Sequence, residues 1–246
     1  NMELEIIFAQ FNINTRGWVN FQMGHRLDPT YTSVKQYFPN AKLTLYTDDA
    51  SMADGYNDIN VKVIKEDDFI QSKQHGKWGW NNADYYQIYG LLNSKADVAI
   101  SMDSDLMFIN DEVKTIVPII KKFGLCCPTN VRQLVKVDGI HGNDGDYKIG
   151  EDESRGNIAT YDLWWNGFLT KDDRGRRLLE EFARLMKENP KRSPLQYSRA
   201  AWNTGIFPYV MPKQWGVGAG HEGCGNEIIL HVGHVGVQDY YLKERL

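Results

Sequence analysis

Val98-Ala99-Ile100-Ser101-Met102-Asp103-Ser104-Asp105-Leu106-Met107-Phe108-Ile109-Asn110 sets an Asp-Ser-Asp triplet between two apolar runs. Val98 to Met102 has the composition of a buried strand, and the acidic residues emerge where that strand opens into a loop. Strand alternation would aim Asp103 and Asp105 the same way, because side chains two apart share a face. Carboxylates so close repel and raise one another's pKa unless a cation compensates them. A hard divalent ion, Mg or Mn, suits oxygen ligands and keeps positions open for substrate phosphate. The simpler alternative is a surface turn in which Asp caps backbone amides. The apolar segment Leu106 to Ile109 argues against it, since a surface turn rarely sits between two buried runs.

Upstream of the triplet, strands and helices alternate. Leu4 to Asn12 reads as a first strand, apolar enough to be covered on both faces. Asp28 and Pro29 suit the start of a helix with Tyr31, Val34 and Phe38 on its inner face. Lys42 to Thr47 is a second strand ending in Asp48-Asp49, and Val61 to Ile64 a third. Asn81 or Asn82 is placed to cap a helix carrying Tyr85, Ile88, Leu91 and Leu92. This order implies an α/β fold with a mainly parallel, Rossmann-like central sheet, in which ligands collect beyond the carboxyl ends of the strands. Asn12, Asp48, Asp49, Asp103 and Asp105 all follow such ends.

Downstream, Asn110 caps a helix to about Phe123, with Pro118 at a bend, and Leu125 to Pro128 suits a strand. Residues 136–160 are rich in Gly and Asp and lack periodicity, as expected of an active-site rim. Leu163 to Leu169 is strand-like. Asp172 or Asp173 caps a helix with Leu178, Leu179, Phe182, Leu185 and Met186 on one face. The arginines 174, 176 and 177 on that helix read as a solvated face. A last strand spans Glu227 to Val232.

The 246 residues suit one domain, with residues 1–110 and 111–246 as its two halves. A net charge of -4 argues against nucleic acid as the main partner. No apolar run approaches a membrane span, and three cysteines, two of them adjacent, form no disulfide framework. The expected setting is soluble, cytoplasmic and reducing.

The last strand ends in His231-Val232-Gly233-His234. A neutral imidazole added to two carboxylates makes a Mn site, and His231 is the preferred third ligand over His234. Gly233 leaves room for backbone to approach a phosphate. The other reading keeps one histidine bonded within the sheet and the other exposed.

Taken in order, the Asp48-Asp49 strand end, Trp80-Asn81-Asn82-Ala83-Asp84, Asp103-Ser104-Asp105, Trp165-Asn166-Gly167-Phe168-Leu169 and His231-Val232-Gly233 resemble the nucleotide-sugar-dependent glycosyltransferases of the GT-A fold. The likeness is strongest to glycogenin and its bacterial galactosyltransferase relatives. The resemblance implies Mn or Mg held by Asp103, Asp105 and His231, bridging the diphosphate of a nucleotide-sugar. Gln10, Phe11, Asn12 and Asn14, together with Asp48 and Asp49, would surround base and ribose, Asp84 would lie close to the ribose or sugar, and Asn81 and Ser104 are counted among the donor-binding residues. Such relatives carry a Lys or Arg on the helix before the triplet, where this chain offers Tyr85, Tyr86 and Gln87. Lys77, further upstream, is the candidate to replace it.

The implied reaction transfers the sugar to a hydroxyl of a glycan, protein or other acceptor. The resemblance inclines to retention. An inverting enzyme would need a carboxylate base, and Asp144, Asp146, Asp152, Asp162 and Glu222 are the candidates, Asp162 first. Asp105, Asp162 and Asp144 are the carboxylates assigned to catalysis. Two other functions use the same acidic pair: a nucleotidyltransferase acting on a metal-bound triphosphate, and a metal-dependent sugar-binding module without turnover. A modified nucleic-acid base as acceptor is a further variant.

Overall fold

The structure is a computed structural model that describes residues 2–11, 27–28, 30–70, 78–129, 161–190, 193–218 and 225–232. The acidic triplet leaves β4 (Val98–Met102), whose five residues are all buried. On one side β4 pairs in parallel with β1 (Leu4–Ala9), and β1 pairs in parallel with β2 (Lys42–Thr47). β3 (Ile59–Val63) continues the parallel array at the edge. Its other neighbour, β7 (Trp165–Leu169), runs antiparallel and is followed by β6 (Leu125–Pro128) and the short β8 (Tyr209–Met211). The order across the sheet is β3-β2-β1-β4-β7-β6-β8. Succession runs outward from β1 to β3 and then returns to β4 on the other side of β1. The β1/β4 boundary is therefore a switch point, where an open α/β sheet forms a crevice at the carboxyl ends of its strands.

Alternation along β1 explains why the sheet is covered twice. Ile6 and Phe8 enter one core with Val34 of helix α1 (Thr30–Tyr37) and with Ile116 and Ile120 of α3 (Ile116–Phe123). Ile7 and Ala9 enter the opposite core. There they meet Tyr86, Ile88 and Leu91 of α2 (Trp78–Asn93), the apolar stripe of α4 (Asp173–Glu188) and Tyr197 of α5 (Ser193–Thr204). Burying an aliphatic or aromatic side chain of this kind contributes about 1.5–3 kcal/mol each, so both layers hold the sheet.

Two glycines mark close approaches. A Cβ on Gly167 would stand 2.3 Å from Ile120 Cδ1, so α3 packs on β7 only because position 167 has no side chain. Gly124 ends α3 at φ +79, in the left-handed region that favours glycine.

Several expectations shift in detail. Asp172 caps α4, its carboxylate accepting from the Gly175 N–H. α2 begins at Trp78, so Asn81 and Asn82 lie inside it. Asn82 uses its side-chain oxygen to accept from the Ile70 N–H at 2.7 Å, which ties the preceding loop to the helix. Asn110 caps a 3-10 turn, Asp111–Thr115, that leads into α3. Pro118 falls in the first turn of α3, where the missing N–H breaks no helical bond. Arg176 is tied down rather than solvated: its guanidinium donates to the Leu92 and Thr170 carbonyls and lies over the Phe168 ring.

The last strand is β9 (Ile229–His231), shorter than expected and outside the main sheet. It forms a two-stranded antiparallel ribbon with β5 (Leu106–Phe108). The central sheet itself is mainly parallel on the β1–β4 side, with β7 antiparallel to both its neighbours. Among the described residues no helix is long and apolar enough to cross a membrane.

Candidate active site

β4 stops at Met102, and Asp103, Ser104 and Asp105 turn directly into β5. The carboxylates are brought together by this strand-turn-strand, not by alternation along one strand. Main-chain bonds fix each of them. The Asp103 N–H donates to the Trp164 carbonyl at 2.8 Å, and the Asp105 carbonyl accepts from the Val232 N–H at 2.9 Å. Ser104 anchors the turn between them: its carbonyl accepts from the Thr30 hydroxyl at 2.7 Å, and its own hydroxyl donates to the Gln10 side-chain oxygen.

Because Leu106 pairs with His231 in the β5–β9 ribbon, the histidine arrives beside the acidic turn. His231 Nε2 lies 2.9 Å from Asp105 Oδ1 and 3.7 Å from Asp103 Oδ2. One ligand atom of each of the three residues lies within 4.8 Å of the others, close enough for a single ion to reach all three. The edge of Trp164 packs on the imidazole at 4.6 Å between ring centres.

Burial and neighbouring charges together set the electrostatics of these side chains. Burial raises the Asp103 pKa most. Asp105 and Asp84 add to the rise, against the opposing pull of His231 and of a hydrogen bond from Gln87, and the net result stands well above the usual carboxylate range. Burial opposes charge on His231. Asp105, by proximity and by hydrogen bond, then Asp103 and Asp162, outweigh it and leave the imidazole pKa raised. Two carboxylates and an imidazole are a donor set suited to Mn or Mg, and the repulsion between the two carboxylates is what a divalent ion would relieve.

Other sequence candidates fall at varied distances from this centre. Gln10 follows β1 and is buried against Ser104. Phe11 is also buried, its ring stacked on Tyr86 and edge-on to Phe69, so it belongs to the packing beneath the crevice. Asp48 is half-buried after β2, and Asp49 accepts from the N–H and hydroxyl of Ser51, capping the 3-10 turn Ala50–Ala53. Asn81 is buried, and Asp84 faces Asp103 closely enough to raise its pKa. Asp162 is buried and close enough to His231 for its charge to be felt there. Asn12, Asn14, Lys77, Asp144, Asp146, Asp152, Glu222, Gly233 and His234 lie outside the described residues.

The site also contains Gln87, which in the sequence is only one of three residues standing where relatives carry a Lys or Arg, with no role assigned to it. Gln87 of α2 donates to Asp103 Oδ1 at 2.6 Å. Its helical offset of three from Asp84 places both on the face of α2 that looks at the triplet. That spacing was the available signal.

No protein-family model matches the chain, and no curated protein does. Solved structures do. The bifunctional glycosyltransferase WbbM in its apo form superposes with a TM-score of 0.55 at 10% identity over 94% of this chain, which spans 46% of that protein. The galactosyltransferase LgtC, in complex with donor and acceptor sugar analogues, gives 0.52 at 11% identity over 92% of this chain and 86% of its own. Mouse xyloside xylosyltransferase 1 in its apo form gives 0.52 at 10% identity, covering 94% of this chain and 97% of its own. The chain therefore has the GT-A fold shared by these glycosyltransferases.

Proposed function

We propose that the chain is a metal-dependent glycosyltransferase that moves a sugar from a nucleotide-diphosphate-sugar donor to a hydroxyl acceptor. The observation that carries this reading is the meeting of Asp103, Asp105 and His231 beside the β1/β4 switch point of a GT-A sheet. Those three residues would hold Mn or Mg. When bound, the ion supplies Lewis-acid stabilisation of the charge that develops on the leaving diphosphate.

The chain's own residues do the rest. β1, β2 and β4, in residues 1–110, line the donor side, where Gln10, Asp48 and Asp49 follow strand ends. Residues 111–246 contribute the acceptor side and also His231, so both halves close one site. Asp162 is the first carboxylate proposed to face the transferred sugar, and Asp144 the second. Retention of configuration is the favoured outcome, on the strength of the resemblance. The acceptor class is a glycan, a protein or another hydroxyl compound. Cys126 and Cys127 are free thiols, which suits a reducing, cytoplasmic setting.

Incubation with a panel of nucleotide-sugars and Mn, followed by separation of the nucleotide products, tests the reading. A glycosyltransferase releases a nucleoside diphosphate from one donor, by transfer or slow hydrolysis, and does so only with metal. Release of pyrophosphate from a nucleoside triphosphate would replace this reading with a nucleotidyltransferase.

A further inference from the structure

Asp103 is restrained at its main chain and at both carboxylate oxygens. Its N–H is bound to the Trp164 carbonyl, and one carboxylate oxygen, Oδ1, is bound to Gln87 Nε2 at 2.6 Å. The other oxygen, Oδ2, points to His231. Gln87 is fully buried and the Asp103 side chain is 29% exposed, so the bond is sheltered from water on the glutamine side. For an ionised Asp103, the form that binds metal, chemistry fixes the orientation of the amide: turned over, the carbonyl oxygen would face a carboxylate, acceptor against acceptor.

The other end of the same amide is informative. Gln87 Oε1 is buried and accepts no hydrogen bond from any described residue. A buried acceptor without a donor is unfavourable, and Leu or Met would fill this volume without that penalty. What the amide offers in return is its N–H on Asp103. A Lys or Arg could make the same contact, but its charge would compete with the cation for the carboxylate. The neutral amide orients Asp103 without neutralising it, and Asp84, one turn earlier on α2, keeps the local potential negative.

We propose that Gln87 is the positioning residue of the metal site, holding Asp103 in the rotamer that offers a single oxygen to the ion and so setting the affinity and symmetry of the bound metal. This rests on the metal-dependent reading above. The role is that of an outer-shell partner, whose loss typically costs 10–100-fold in metal affinity.

The test titrates the full chain with Mn alone and reads binding by electron paramagnetic resonance, so it needs no donor. Gln87→Leu, which removes the N–H, should weaken Mn binding by about 10- to 100-fold and alter the line shape of the ion that does bind. Gln87→Asn, too short to reach Asp103, should behave the same way. Gln87→His, whose ring N–H reaches about as far, should restore most of the affinity. Melting without metal shows which variants are folded, and any folded variant lacking the N–H carries the test. A folded Gln87→Leu or Gln87→Asn protein with the parent affinity and spectrum would overturn the proposal. A parent protein that binds no Mn would instead overturn the metal-dependent reading on which it rests.

Discussion

Leu106 and His231 stand opposite one another in the β5–β9 ribbon. One register pair thus brings a histidine near the end of the chain to an acidic turn near its middle. The ribbon is short, but it is closed at both ends. The Ile109 N–H donates to the Ile228 carbonyl, and the Val232 N–H to the Asp105 carbonyl. Slipping it by one residue would turn His231 away from the carboxylates.

Removing a ligand should therefore abolish the site without unfolding the sheet. His231→Ala should weaken Mn binding by at least roughly 100-fold, more than the loss of an outer-shell partner. Asp105→Asn should do the same while leaving the hydrogen bond between the Val232 N–H and the Asp105 carbonyl intact. Calorimetric titration with Mn checks both, with melting in chelator as the control for folding.

Stability should depend on pH in opposite senses with and without metal. His231 and Asp103 both have raised pKa values, so the metal-free native state holds more protons than the unfolded chain. Their contribution is complete below the unfolded values and is lost as pH rises through the folded ones. Metal requires those protons to leave. The rise in melting temperature produced by Mn should accordingly be larger at about pH 8 than at about pH 6, either side of the ordinary histidine value near 6.5. Melting curves at the two pH values, each with Mn and with chelator, measure it.

Cys126 and Cys127 should be inert in the native protein. Both are buried, and burial pushes the Cys126 thiol up to about 12 and Cys127 well above its ordinary range. Alkylation with iodoacetamide at neutral pH, read by peptide mass spectrometry, should leave both unmodified until denaturant is added.

Gly167→Ala should destabilise the fold, since its Cβ would press on Ile120 where α3 packs on β7. Overpacking of this kind costs about 1–3 kcal/mol. Denaturant unfolding should show the loss, and Ile120→Val in the same chain should recover part of it by opening room at the contact.

Much of this was legible because the triplet lies between two largely apolar runs and because α4 carries a clean stripe from Leu178 to Met186. α5 was not. Ser193, Pro194, Leu195, Gln196, Tyr197 and Ser198 are all buried, so the first half of the helix has no exposed polar face to set against an apolar one and periodicity has nothing to report there. The start of α2 was misplaced because Asn82 looks like a cap, while its side chain serves a loop N–H instead. The convergence of His231 with the acidic turn depends on a pairing between strands far apart in the chain, and composition cannot say which sheet a short strand joins. Gln87 stands in the sequence beside Tyr85 and Tyr86 where relatives carry a Lys or Arg, but its bond to Asp103 depends on how α2 packs against β4, which the sequence does not state.

The most direct measurement is a thermal-shift screen of nucleotide-sugars with and without Mn, run on the parent chain and on the Asp103→Ala, Asp105→Ala double variant. A ligand that binds only the native state stabilises it by mass action, by several degrees at about 100 times its dissociation constant. One donor should raise the melting temperature of the parent only when Mn is present, and should leave the double variant unmoved. If no nucleotide-sugar shifts the parent, or if one shifts parent and double variant equally without metal, the metal-dependent glycosyltransferase reading is wrong.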